Sequence, residues 1–214
     1  MKQMLIYSVA FLTGAVLLGL EIVASRVLAP YFGNSIFVWG SLISVFLLAL
    51  SIGYWLGGAV ADRYPSFRVL SMILFGASVF VLVLPPIHLP LSRLIVALDM
   101  EFRISVLLAS IVFFLPASVL MGMVSPYIIK LTLSELRVVG QTAGNIYSVS
   151  TMGSIAGTLG VSFFLIPMIG TRAIILLAGS VLICCGLLCL FAHQWLISGS
   201  ENRLVRQEVE VTRR

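Results

Sequence analysis

Charged residues punctuate this chain at long intervals instead of alternating with apolar ones. From Met4 to Leu20 there is no charge at all. Six apolar blocks follow one another, at residues 5–28, 36–61, 69–85, 104–129, 139–166 and 173–196. A helix needs roughly 20 apolar residues to cross the hydrocarbon core of a bilayer, and these blocks are of that order. They are continuous, whereas the strands of a membrane barrel alternate over about ten residues, so the pattern predicts helices. The first block is also longer than the core of a secretory signal peptide, which runs about 7 to 15 residues, and it reads as a span. The predicted architecture is an all-α membrane protein with six transmembrane helices in one domain, residues 1–197, and a polar tail, 198–214.

Composition agrees with this pattern. Of 214 residues, 60% are hydrophobic and 10% charged, and the mean hydropathy is +1.15. A soluble domain carries roughly 25% charged residues. The net charge of +5 reports topology and not a nucleic-acid partner, because the basic residues sit at block ends and in the tail, with no basic face interleaved with aromatics. Placing the N-terminus in the cytoplasm puts nine basic residues inside (Lys2, Arg63, Arg68, Lys130, Arg137, Arg203, Arg206, Arg213, Arg214) and four outside (Arg26, Arg93, Arg103, Arg172). The positive-inside rule therefore predicts cytoplasmic termini. Between the third and fourth blocks, residues 88–102 predict a short amphipathic helix on the outer surface.

A charge within a span is costly and marks a functional candidate. Glu21 lies beyond the middle of the first block, with Arg26 about 7.5 Å further along. Five residues turn the helix by about 140°, so the two are poorly placed to pair with each other. Glu21 can attract a cation or carry a proton and Arg26 can steer it; alternatively both reach the interface or fix packing. Gly58, Asp62 and Arg63 close the second block, where they suit a gating loop or a plain positive-inside turn. The fifth block is the most polar, with Asn145, Tyr147 and Thr151 as candidate substrate contacts among many serines and glycines. Gly53/Gly57, Gly140/Gly144 and Gly153/Gly157 have the spacing of close helix contacts, so packing competes with a cavity lining as the explanation. Pro116 and Pro126 predict kinks in the fourth helix. Cys184, Cys185 and Cys189 share one apolar block and read as small apolar side chains. His88 and His193 are isolated, no phosphate-binding glycine loop opens a strand-helix unit, and neither a metal nor a cofactor is expected.

Several strings resemble a known family. Glu21 to Gly33 (EIVASRVLAPYFG), Val38-Trp39-Gly40, Gly122-Met123-Val124-Ser125-Pro126, Tyr147 to Thr158 (YSVSTMGSIAGT) and Ile166 to Thr171 (IPMIGT) are similar to the membrane domain of bacterial fused major-facilitator/spermidine synthases. Gly58, Asp62 and Arg63 are also spaced like the cytoplasmic loop motif of major-facilitator transporters. The resemblance covers most of residues 5–195 and implies a half major-facilitator bundle in a bacterial inner membrane. Family members join this part to a cytoplasmic aminopropyltransferase-like domain that uses decarboxylated S-adenosylmethionine. That domain's glycine loop and carboxylates have no counterpart here, so the chain is not expected to be an enzyme on its own.

Three readings stay open at this point. The chain is a membrane module that anchors a separate cytoplasmic aminopropyltransferase-like protein or exchanges a polyamine-like cation with it. Alternatively it is a half-size transporter of small solutes acting as a homodimer, six spans being half of a twelve-span bundle. The third reading is a scaffold without a ligand site.

Overall fold

The computed structural model describes the backbone of residues 2–132 and 139–212, and the side chains of 3–132 and 139–194. The described residues are helical, with no strand among them: α1 (Lys2–Phe32), α2 (Ile36–Arg63), α3 (Phe67–Ala97), α4 (Phe102–Thr132), α5 (Val139–Gly160), a π-helical turn (Val161–Leu165) and α6 (Ile166–Thr212). The side chains of the polar tail lie outside the described residues.

Local chemistry explains where the helices stop. Gly33 ends α1 in a left-handed conformation, φ 67°, and its N–H donates to the Ala29 carbonyl at 2.9 Å. That geometry is cheap only for glycine. Pro65 follows the last residue of the α2 cap, and the Ser66 hydroxyl starts α3 by accepting from the Arg68 N–H at 3.2 Å.

Five continuous runs are long and apolar enough to cross a membrane: Gln3–Phe32, Ile36–Arg63, Phe67–Ala97, Phe102–Thr132 and Val139–Gln194. The chain is a multi-pass membrane protein. The fifth run covers the last two predicted blocks together, which departs from six separate helices. Helical bonding continues past Gly160 through the π turn, and the interruption is confined to Gly170, at φ 73° and ψ 167°. The predicted outer amphipathic helix is absent as a separate element as well. Residues 88–97 extend α3 through Pro85, Pro86 and Pro90. Pro86 and Pro90 are four residues apart on the exposed side, while Leu84, Ser92 and Ile95 stay buried on the other. A proline-bearing helix can bend on one side and keep its packing on the other. The His88 ring Nδ1 also lies 2.9 Å from the Pro85 carbonyl, in that proline-rich turn.

The packing has an internal symmetry. α2 lies along α4 and α5 along α1; α3 packs on α6, α3 on α4, and α1 on α6. Exchanging α1–α3 with α4–α6 reproduces this pattern. The register agrees residue by residue. Gly53 and Gly57 of α2 press on the backbone at Val119 and Met123 of α4, and Gly153 and Gly157 of α5 press on Phe11 and Ala15 of α1. The α2 and α5 numbers differ by 100 (153 − 53, 157 − 57), and the α4 and α1 numbers by 108 (119 − 11, 123 − 15). Between α3 and α6 the shift is 104 (179 − 75, 186 − 82), since Gly179 meets Leu82 and Gly186 meets Phe75. In both glycine seams the residue numbers rise together, so α2 is parallel to α4 and α1 to α5. Because α1 and α2 are joined by a short turn, the two three-helix units are inverted relative to each other. The contacts of α6 with α3 run in opposite directions, which makes Gly170 a reversal of the chain.

Candidate functional site

The candidate residues fall into two groups, and the glycine seams show how far apart they are. Phe11 beside Gly153 and Ala15 beside Gly157 place each α5 residue level with the α1 residue 142 positions earlier (153 − 11). Asn145 is then level with Gln3, Tyr147 with Leu5 and Thr151 with Val9. Glu21 stands 12 residues beyond Val9, or about 18 Å along the helix at 1.5 Å per residue. Glu21 and the polar α5 residues therefore do not form one compact site. We name the two ends of the bundle after Gly33 and Asp62.

Toward the Gly33 end, Glu21 is partly buried and Arg26 exposed. The two do not pair, and among the described residues neither has a hydrogen-bonding or ionic partner. Glu21 adjoins Leu20, which helps wall an apolar cavity between α1, α5 and α6.

At the Asp62 end, chemistry is denser. Tyr147 of α5 meets Tyr54 of α2 edge to face, with ring centroids 6.2 Å apart. This contact brings the polar start of α5 to the end of α2 that carries Gly58, Asp62 and Arg63. Gln141, Asn145, Ser148 and Thr151 are exposed, and none has a hydrogen-bond partner among the described residues. Ser154, in contrast, turns to α1 and donates to the Gly14 carbonyl at 3.2 Å. The polar stripe read from sequence is thus divided between an open face and a packed seam. Gly140 and Gly144 belong to the open part, since an added methyl group would meet nothing within 4 Å.

The loop motif is also resolved into separate parts. Asp62 pairs with Lys130 of α4, Oδ1 to Nζ 2.6 Å, with both side chains substantially exposed. Arg63 is exposed and has no ionic partner among the described residues. Gly58 leaves space around it, whereas the neighbouring Gly57 is the glycine that packing requires.

Tyr127, which follows the GMVSP string, is the residue that sequence reasoning missed. Its ring is fully buried, and its hydroxyl donates to the Tyr64 carbonyl and accepts from the Ser66 N–H at 3.1 Å. It ties the α2–α3 turn to α4, and Asp62–Lys130 adds a second tie at the same end. The signal available in sequence was opposite charge at the ends of two spans predicted to finish on one side.

No group of three or more His, Cys, Asp or Glu capable of holding a metal occurs among the described residues. Cys184, Cys185 and Cys189 are free thiols, the last two buried. The arrangement sets a carboxylate in a span at one depth and a polar, aromatic-edged face at another.

No family model, curated protein or solved structure matches this chain.

Proposed function

We propose that the chain is a membrane carrier module that handles a small organic cation and is completed by a second copy of itself. The inverted three-helix repeat carries this reading, because inverted repeats are the architecture from which many secondary transporters are built. Six crossings, with Gly170 as the turn between the last two, give each repeat three. Cytoplasmic termini accord with the distribution of basic residues, and a bacterial inner membrane with the strings similar to fused synthases. Two features support the pairing and the charge of the solute. The open face of α5 carries amide and hydroxyl groups without a partner among the described residues, which a second copy can engage. Glu21 supplies a negative charge in a span with no ionic partner.

Flux of a labelled polyamine into liposomes containing the purified protein tests the proposal. Flux above that of empty vesicles is expected, reduced about tenfold by Glu21→Gln, which corresponds to about 1.4 kcal/mol. Flux equal to that of empty vesicles overturns the reading for polyamines, and undiminished flux in Glu21→Gln removes this residue from it.

A second reading follows from the strings similar to fused synthases: the module docks a separate aminopropyltransferase-like protein through its polar tail. Co-purification of such a protein, lost on deleting residues 198–214, supports docking. Co-purification unaffected by that deletion excludes the tail as the route.

A further inference from the structure

Among the positions at which the two repeats differ, one lies beside a cavity. The shift of 108 that relates α4 to α1 pairs Tyr127 with Gly19. In the α2–α3–α4 unit the tyrosine ring is fully buried. In the α1–α5–α6 unit Gly19 brings no side chain of its own, Val161 of the π turn approaches it, and a cavity of about 240 Å³ lies beside them. Leu20, Val23, Gly157, Gly160, Ile175 and Ala178 are among its walls, and every lining residue is apolar or glycine. An apolar cavity of about 150 Å³ stays dry and takes up a hydrocarbon. This one is larger, is not enclosed, and is walled by membrane-spanning helices, with Ala156 and Leu177 exposed on its rim.

Two of the helices that wall the cavity, α1 and α6, carry an arginine at the Gly33 end. Arg26 follows Gly19 by seven residues and Val23 by three, which keeps it on the lining face of α1. Arg172 precedes Ile175 by three on α6. Both arginines are exposed, and among the described residues neither has an ionic partner. A hydrocarbon slot with cations at one end is complementary to a molecule with an apolar tail and an anionic head. We propose that the cavity seats one acyl chain of an anionic phospholipid, with its phosphate held at Arg26 and Arg172. The bilayer supplies this ligand directly beside the opening. The apolar fit selects a chain, and the arginines select the headgroup, by about fivefold for each basic residue and about thirtyfold together.

The test uses the full-length protein in detergent, equilibrated with mixed micelles of phosphatidylglycerol and phosphatidylcholine carrying the same chains, and native mass spectrometry of retained lipid. Gly160 has a helical backbone, φ −60° and ψ −45°, and an added methyl group there meets nothing within 4 Å. Gly160→Leu therefore fills the cavity without forcing the helices apart. The expected result is one retained phosphatidylglycerol per chain, preferred about thirtyfold over phosphatidylcholine. Gly160→Leu should reduce retention at least about tenfold, whereas Gly40→Leu, at another open position, should leave it unchanged. Arg26→Gln with Arg172→Gln should keep a retained lipid and abolish the headgroup preference. Undiminished retention in Gly160→Leu, or undiminished preference in the double variant, overturns the proposal. Replacement of phosphatidylglycerol by an equal concentration of oleate would assign the slot to a free fatty acid instead and overturn it too.

Discussion

The α2–α4 and α1–α5 seams are built alike and finished differently. Each is a pair of parallel helices brought together by two glycines one turn apart, Gly53 and Gly57 in one and Gly153 and Gly157 in the other. Beyond the glycines, Tyr127 fastens the first seam to the turn that follows α2, and the Asp62–Lys130 pair joins its two helices. The second seam has Gly19 at the place of the tyrosine, a π turn and a cavity. Within lipid, apolar burial between helices gives little driving force, and close backbone packing does most of the holding. The comparison separates residues that build the scaffold in both repeats from residues that give one end of it a distinct chemistry.

The largest effect is expected where the repeats agree. Gly157→Val places a branched side chain against the backbone at Ala15, and Gly57→Val does the same at Met123. Backbone cannot rotate aside, so each should cost at least the upper end of the about 1–3 kcal/mol typical of overpacking. Thermal unfolding in detergent reads the loss; equal losses support equivalence, and a neutral result at either glycine breaks it.

Tyr127→Phe comes next. It leaves the Ser66 N–H and the Tyr64 carbonyl without the hydroxyl and should cost about 1–3 kcal/mol. Faster exchange of the Ser66 amide with solvent deuterium is the local readout, and unchanged exchange would deny the tie to the turn.

Adjacent glycines of the loop motif should respond in opposite directions. Gly58→Ala adds a methyl group in open space and should stabilise α2 by about 0.5–1 kcal/mol. Gly57→Ala should destabilise. The smallest effect belongs to Asp62–Lys130, whose exposed partners should couple by about 0.2–1 kcal/mol in a double-mutant cycle, less at high salt.

Much of this was legible in the sequence. Uninterrupted apolar blocks separated by charged or turn residues report helices because the bilayer demands internally satisfied backbone. The Gly-x-x-x-Gly spacings identified two true seams, but the identical spacing of Gly140 and Gly144 faces open space, so spacing alone does not reveal which face is covered. The third block reads as ending at Pro85 because a proline counts as a stop in sequence, whereas α3 runs on to Ala97 with Pro86 and Pro90 on its exposed side. Glu21 and Asn145 stood out singly as polar groups in apolar blocks. Their separation along the bundle needed the α1–α5 register, which no local pattern contains. Tyr127 resembled any interfacial aromatic until its partners across the α2–α3 turn were seen.

The central claim is that two inverted repeats place the Gly33 and Gly170 turns on one side of the membrane and the α2–α3 turn on the other. Single cysteines at Asn34, Thr171 and Arg68, in a background with Cys184, Cys185 and Cys189 replaced by alanine, test it with a membrane-impermeant thiol reagent on sealed vesicles. Asn34→Cys and Thr171→Cys should label from the same side, and Arg68→Cys only from the opposite one. Labelling of Thr171→Cys together with Arg68→Cys, and apart from Asn34→Cys, would contradict the inverted repeat.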